Sequence, residues 1–398
     1  MGSRDVSLYG VCELNKRAWS LSSRLPWEHP LNRLTRAVSE RTARGLPVID
    51  LTETNPTRVG IPYPEEELAA LLARGAASGY APHPRGILEA REALAAHLSR
   101  PGDPVSSEDL VLTASTSESY SFLFKLFGDP GDEVLTAAPS YPLLDSLAAL
   151  DGLVLRHFHR SPGRRFATDA ETIELALSER TRLLTLVHPG NPTGNFLTAS
   201  EQESIAALCA ARGLPLILDE VFADYPLAAA PAAARTDEAL SFSLGGLSKS
   251  AGLPSWKLGW IRVGGPPDLR RRVISALELV ADSYLSVATP VQKALPGLLE
   301  LAPRIREAIL GRLQENLATL RATLKAELFE PEGGWAAVLR FARPVSDEEL
   351  ALELLERQGV LVHPGYFFDF TTDDFLVLSL LPEPERFEEG VRRIAECL

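Results

Sequence analysis

The sequence has little of what would mark a secreted, membrane or nucleic-acid-binding protein. Its three cysteines, Cys12, Cys209 and Cys397, are odd in number and far apart. That suits neither a disulfide framework nor a thiolate metal site, and it points to a reducing compartment. No apolar run approaches the roughly 20 residues of a membrane span. The start, Met1-Gly-Ser-Arg-Asp-Val6, lacks the charged-then-apolar pattern of a signal peptide. A net charge of −13 argues against a nucleic-acid-binding surface. Internal repeats and low-complexity linkers are missing too. The expectation is a soluble cytoplasmic protein with no nucleic-acid or membrane partner. Lysine is also scarce: Lys16, Lys125, Lys249, Lys257, Lys293 and Lys325 are all of it.

What is present is ordinary globular composition, 45% apolar and 23% charged, in a chain long enough for two domains. Residues 1–47 read as a polar arm, with Trp19 and Trp27 ahead of a helical spacing at Leu31, Leu34 and Val38. Val48–Leu51 reads as a short strand and Thr54–Pro64 as a Pro- and Gly-bearing loop. From Asp109 onward, apolar runs alternate with helical stretches. The runs are Leu110–Leu112, Glu133–Leu135, Leu153–Leu155, Leu183–Val187, Leu214–Leu218, Ala239–Leu244 and Leu258–Val263. Strands buried on both faces and separated by helices predict a mostly parallel sheet. After about residue 265, helical patterns run over 267–281 and 289–327, with Pro303 placed to kink or split the second. Strand patterns at 335–341, 360–362 and 375–380 then mix with helical ones at 347–358 and 385–396. An Ala-rich loop falls at 228–234. The predicted fold class is α/β. A large domain over 48–285 carries a mostly parallel seven-stranded sheet flanked by helices. A smaller α+β domain covers 286–398, with 1–47 as an arm and part of it.

In such a sheet, ligands sit beyond the carboxyl ends of the strands. The residues there are chemically distinctive. Thr113-Ala-Ser115-Thr116-Ser-Glu118 opens a helix and offers an anion site, or a plain N-cap. Pro139-Ser-Tyr141-Pro142 puts an aromatic ring on the rim, and His188-Pro-Gly-Asn191-Pro-Thr-Gly194 presents an amide. Asp219-Glu220 ends a buried strand, where a carboxylate needs a cation or several hydrogen bonds. Lys249 follows in a run of small residues, Gly245, Gly246, Ser248, Ser250, Ala251 and Gly252. Its amine becomes a nucleophile if burial lowers its pKa. A phosphorylated aromatic aldehyde with a basic ring nitrogen would use every one of these groups.

With these motifs the chain resembles the class I/II pyridoxal-phosphate aminotransferases of fold type I, from about Val48 to Leu398. The segments that carry the resemblance are Tyr80–Gly86, Thr113–Glu118, Pro130–Val134, Pro139–Pro142, Asn191–Gly194, Asp219–Phe222, and Ser248-Lys249 with Gly259. The resemblance implies pyridoxal 5'-phosphate as cofactor and Lys249 as the Schiff-base lysine and proton shuttle. It implies Asp219 on the pyridine nitrogen, Asn191 on the phenolic oxygen and the substrate, and Tyr141 stacked on the ring. Ser115, Thr116 and Lys257 would meet the phosphate. Tyr80 would reach it from the other subunit of a homodimer. The implied reaction moves an amino group between an amino acid and a 2-oxo acid.

Four positions depart from the family pattern. Phe222 stands where a tyrosine is usual, Gly246 where a phosphate-binding serine is common, and Lys257 where an arginine usually clamps the phosphate. Val377 aligns with the family's carboxylate-binding arginine, and Arg58 is the candidate substitute. Tyr225 is not expected to replace the missing tyrosine. The loss at Val377 motivates an alternative outcome on the same cofactor: a lyase, decarboxylase or cyclase acting on a modified amino acid or amine. A cofactor-binding regulator is disfavoured, because residues 1–47 are too short and insufficiently basic for a DNA-binding module.

Overall fold

The computed structural model describes residues 20–28, 31–76, 79–101, 103–229 and 238–397. The start of the arm through Trp19, and the Ala-rich loop from residue 230, lie outside the described residues. Among them, seven strands form the central sheet: β1 (Leu110–Thr113), β2 (Glu133–Ala138), β3 (Val154–His159), β4 (Thr181–Val187), β5 (Leu216–Asp219), β6 (Ser241–Gly246) and β7 (Gly259–Gly264). Their spatial order is β1-β7-β6-β5-β4-β2-β3. β7 runs antiparallel between β6 and β1, and all other pairs are parallel. The expected α/β architecture is the one observed.

Alternation of side chains across each strand explains why both faces need helices. Val134 and Leu183 face a core shared with Phe122 and Leu123 of the helix Thr116–Phe127 and Val273 of the helix Pro267–Asp282. Their neighbours Leu135 and Leu184 face the opposite core, with Ile205 and Cys209 of the helix Ala199–Arg212. That last helix starts on a reciprocal cap between Thr198 and Glu201 and ends at Gly213, whose φ of 61° is the left-handed turn glycine tolerates.

The C-terminal part is an antiparallel sheet of β8 (Glu327–Phe329), β9 (Ala336–Arg340), β10 (His363–Pro364) and β11 (Phe375–Ser379), in the order β10-β11-β9-β8. Two expectations are corrected here. The helix Thr289–Thr323 runs 35 residues unsplit, with Pro296 and Pro303 inside it. A proline in a helix interior costs ~3 kcal/mol. Burial of Leu295, Leu298, Ala302, Ile305, Ile309 and Leu313 along one stripe outweighs that. The helix also stops short of 327, because Glu327–Phe329 pairs with β9 instead. The 347–358 helix is α-helical over Asp347–Glu353 and turns to a π-helix over Leu354–Gln358.

The segment after the arm is stitched to this second sheet. Ile49–Asp50 pairs in parallel with Val360–Leu361 as a separate two-stranded sheet beside it. Leu51 O accepts from Ser379 N at 2.7 Å, and Glu53 O from Ser379 Oγ at 2.6 Å. Phe166, from the chain after β3, joins the two parts. Its ring is 1% exposed and lies 5.1, 5.7 and 6.3 Å from the rings of Phe329, Phe370 and Phe375. Ser140 N donates to Phe368 O at 3.1 Å beside it. Phe166→Ala is expected to cost about 3–5 kcal/mol in urea unfolding. A loss below ~1 kcal/mol would show that the ring does not hold the two parts together.

Candidate active site

The strand registers bring the sequence-singled residues to one edge of the sheet. Gly259 faces Thr113 on one side and Gly246 on the other, so Ser115, Gly246 and the start of β7 share a corner. A Cβ on Gly259 would lie 3.0 Å from the Ser115 carbonyl carbon, which explains the glycine. A Cβ on Gly246 would press at 3.2 Å on Gly259 Cα and Leu258 O, so the absent serine goes with a close β6–β7 contact. Ser115 caps the helix Thr116–Phe127, its Oγ accepting from Glu118 N. The first-turn N–H groups there have no intrahelical acceptor, which suits an anion. Lys257 is exposed, in left-handed backbone (φ 48°), two residues before β7.

Asp219 ends β5 between Val187 of β4 and Leu244 of β6. It is 4% exposed. One carboxylate oxygen accepts from Tyr120 Oη at 2.9 Å, the other from Val221 N at 3.1 Å. Among the described residues it has no ion pair. Burial pushes its pKa up to about 6, against the two hydrogen bonds and the charge of Lys249. A carboxylate so placed is matched by a cationic N–H brought in by a ligand.

Lys249 lies in the short helix Leu247–Ser250 directly after β6. Burial pulls its amine down to about 8, with Asp219 opposing. Its Nζ lies 4.7 Å from the Trp335 ring and 5.6 Å from the Phe222 ring. Tyr225 does not take the place of the missing tyrosine. Its hydroxyl donates to Lys249 O at 2.5 Å and so holds the lysine's backbone.

Tyr141 and Asn191 line an open cleft between this edge and β11, together with His363, Phe367, Phe368 and Val377. Burial raises the Tyr141 phenol pKa, and the charge of Asp219 adds to it, so the two groups are neighbours. Arg58 does not line the cleft: its side chain is 73% exposed and lies 3.9 Å from Glu53. Tyr80 is 76% exposed and also outside it. Sequence reasoning missed Tyr120, Trp335 and His363. Tyr120 is one helical turn past Thr116, yet no motif marks it. Trp335 and His363 reach the site only through the second sheet.

The fold thus carries a buried amine, Lys249, and a buried carboxylate, Asp219, at the carboxyl edge of its sheet. The family described as Aminotransferase class I and II matches residues 47–394, and the chain belongs to it. The mouse (Mus musculus) tyrosine aminotransferase is 26% identical over 84% of this chain and 78% of its own length. The alanine aminotransferase of Mycobacterium bovis is 27% identical over 96% and 93%. Among solved structures, the alanine aminotransferase of Pyrococcus furiosus superposes with a TM-score of 0.85 at 23% identity, covering 95% of this chain and 99% of that one. The protein is therefore a pyridoxal-phosphate-dependent aminotransferase, moving an amino group between an amino acid and a 2-oxo acid. The lyase, decarboxylase or cyclase outcome is not favoured. The residues present fit the cofactor: Asp219 lacks a cation that a ring N–H would supply, and Lys249 is a buried amine beside it.

The raised Asp219 pKa has a stability consequence. Between about pH 4 and 6 the native state binds a proton that the unfolded chain does not, so this group's destabilisation fades as pH falls through that window. Cofactor-free Asp219→Asn should be more stable than wild type at pH 7.5 by on the order of 2–3 kcal/mol. The gap should close toward pH 4. Urea titrations at several pH values measure it, and equal stabilities at pH 7.5 would count against an uncompensated charge.

Proposed function

We propose that Lys249 is the residue that bonds pyridoxal phosphate and carries the proton away from the substrate Cα. The observation that carries this is the opposed effect of one buried place on two groups: the Lys249 amine is pulled down to about 8 while Asp219 is held beside it. An amine near its pKa at working pH can both give and take a proton at Nζ. Pyridoxal phosphate, when bound, supplies an electrophilic carbonyl and a ring that drains electrons from the substrate carbon. Asp219, aimed by Tyr120 and Val221, would hold the ring nitrogen protonated. Asn191 would donate to the phenolic oxygen and meet the substrate, and Tyr141 would stack on the ring. Ser115, Thr116 and Lys257 would hold the phosphate.

Tyr80 would complete that phosphate site from the partner of a homodimer. Its exposure, with those of Leu279 and Tyr284, supports a surface meant to be covered. The free thiols of Cys209 and Cys397 support a reducing, cytoplasmic compartment. We also assign a large cofactor domain to 48–285, and 286–398 with 1–47 to the smaller one. The ion pair of Arg33 with Glu348 at 2.8 Å supports that grouping of the arm.

Two measurements test the role of Lys249. Borohydride should fix the cofactor to the wild-type protein and not to Lys249→Ala, whose urea unfolding stays cooperative. Fixation in the variant would sink the assignment. The neutral amine is the nucleophile, so the rate at which cofactor-free protein captures pyridoxal phosphate should climb as pH rises through about 8 and then level. Stopped-flow absorbance reads it, and a rate that falls over that range would contradict the lowered pKa.

A further inference from the structure

The cleft lined by Tyr141 and Asn191 holds about 530 Å³, and none of the described residues lining it is a lysine, arginine, aspartate or glutamate. Its one basic side chain is His363, on β10, directly across the antiparallel register from Val377 of β11. The imidazole is set between Phe367 and Phe368, with ring centroids 5.6 and 5.8 Å away. Its Nδ1 is shut off from solvent and has no hydrogen-bond partner among the described residues. We propose that His363 docks the carboxylate of the amino-acid substrate, as a neutral hydrogen-bond donor where other members of the family hold a fixed cation. This rests on the transamination reading and adds the substrate's anchor to it.

The tautomer follows from the buried nitrogen. An N–H with no acceptor costs more to bury than a lone pair, so Nδ1 is the bare nitrogen and the proton sits on Nε2. With Nδ1 closed in, Nε2 is the atom left to meet a ligand from the cleft. Burial also lowers the ring's pKa below its ordinary value, against the charge of Asp50, and so favours the neutral ring. A hydrogen bond from a neutral donor to an anion remains among the stronger kinds. The cleft therefore accepts one carboxylate and offers a second no cation. Its other walls mix apolar Leu143, Phe367, Phe368 and Val377 with the uncharged polar side chains of Thr52, Thr54 and Ser379. The substrate class is a monocarboxylic amino acid with an uncharged side chain.

Calorimetric titration of the holoprotein with 3-phenylpropanoate and its uncharged amide tests the anchor. The acid should bind about tenfold more tightly than the amide. His363→Leu should lower the acid's affinity about tenfold and leave the amide's unchanged. His363→Gln, which keeps an N–H at similar reach, should restore most of the difference. Arg58→Ala should change neither. Succinate should bind at least ~10-fold more weakly than 3-phenylpropanoate. The proposal fails if wild type shows no preference for the acid, or if His363→Leu weakens both ligands alike or neither. It fails equally if Arg58→Ala removes the acid preference, or if succinate binds as well as 3-phenylpropanoate. Should His363→Leu not fold, the wild-type pair and His363→Gln still decide. Cofactor fixation at Lys249 does not enter these titrations, so their failure and that of the Lys249 assignment are distinguishable.

Discussion

Two groups that water would keep charged are withdrawn from it side by side. Asp219 and Lys249 each lose hydration at the carboxyl edge of the sheet, and each attracts the other's charged form. Burial is the larger effect on both, so the carboxylate rises to about 6 and the amine falls to about 8. Among the described residues, neither group is neutralised by a fixed ion pair. What results is a site whose charges are poised for a ligand that brings its own cation and its own carbonyl.

Much of the surrounding structure keeps these two groups in place. Tyr120, itself buried, aims the Asp219 carboxylate from the helix that covers one face of the sheet. Tyr225 grips the backbone of Lys249, and Trp335 packs over its amine from the second sheet. Phe166 locks that second sheet against the first. The cation absent at Val377 belongs to the same economy of space. Val377 sits in an apolar cluster with Phe166, Val338 and Phe375, where a guanidinium would be costly to bury. The neutral His363 beside it is compatible with that cluster.

The sequence alone determined the chemistry of the strand ends and the class of fold. Those depend on local patterns: apolar runs of strand length, small residues around Lys249, and turn residues at Pro139–Pro142 and Asn191–Gly194. The seven large-sheet strands were all legible for that reason. The two-residue strand at His363–Pro364 was not, since it is too short for a pattern and contains a proline. The helix through Pro303 runs unsplit because distant packing holds it together where local propensity speaks against it. Which side chains converge on the site from far along the chain was decided by tertiary structure alone. Tyr120 meets Asp219 across 99 residues of sequence, and the Tyr225 hydroxyl reaches the backbone of Lys249. Periodicity reports which face of an element is buried, but not what it is buried against. The pKa values of Lys249 and Asp219, and the charge-free wall around His363, follow from that second fact.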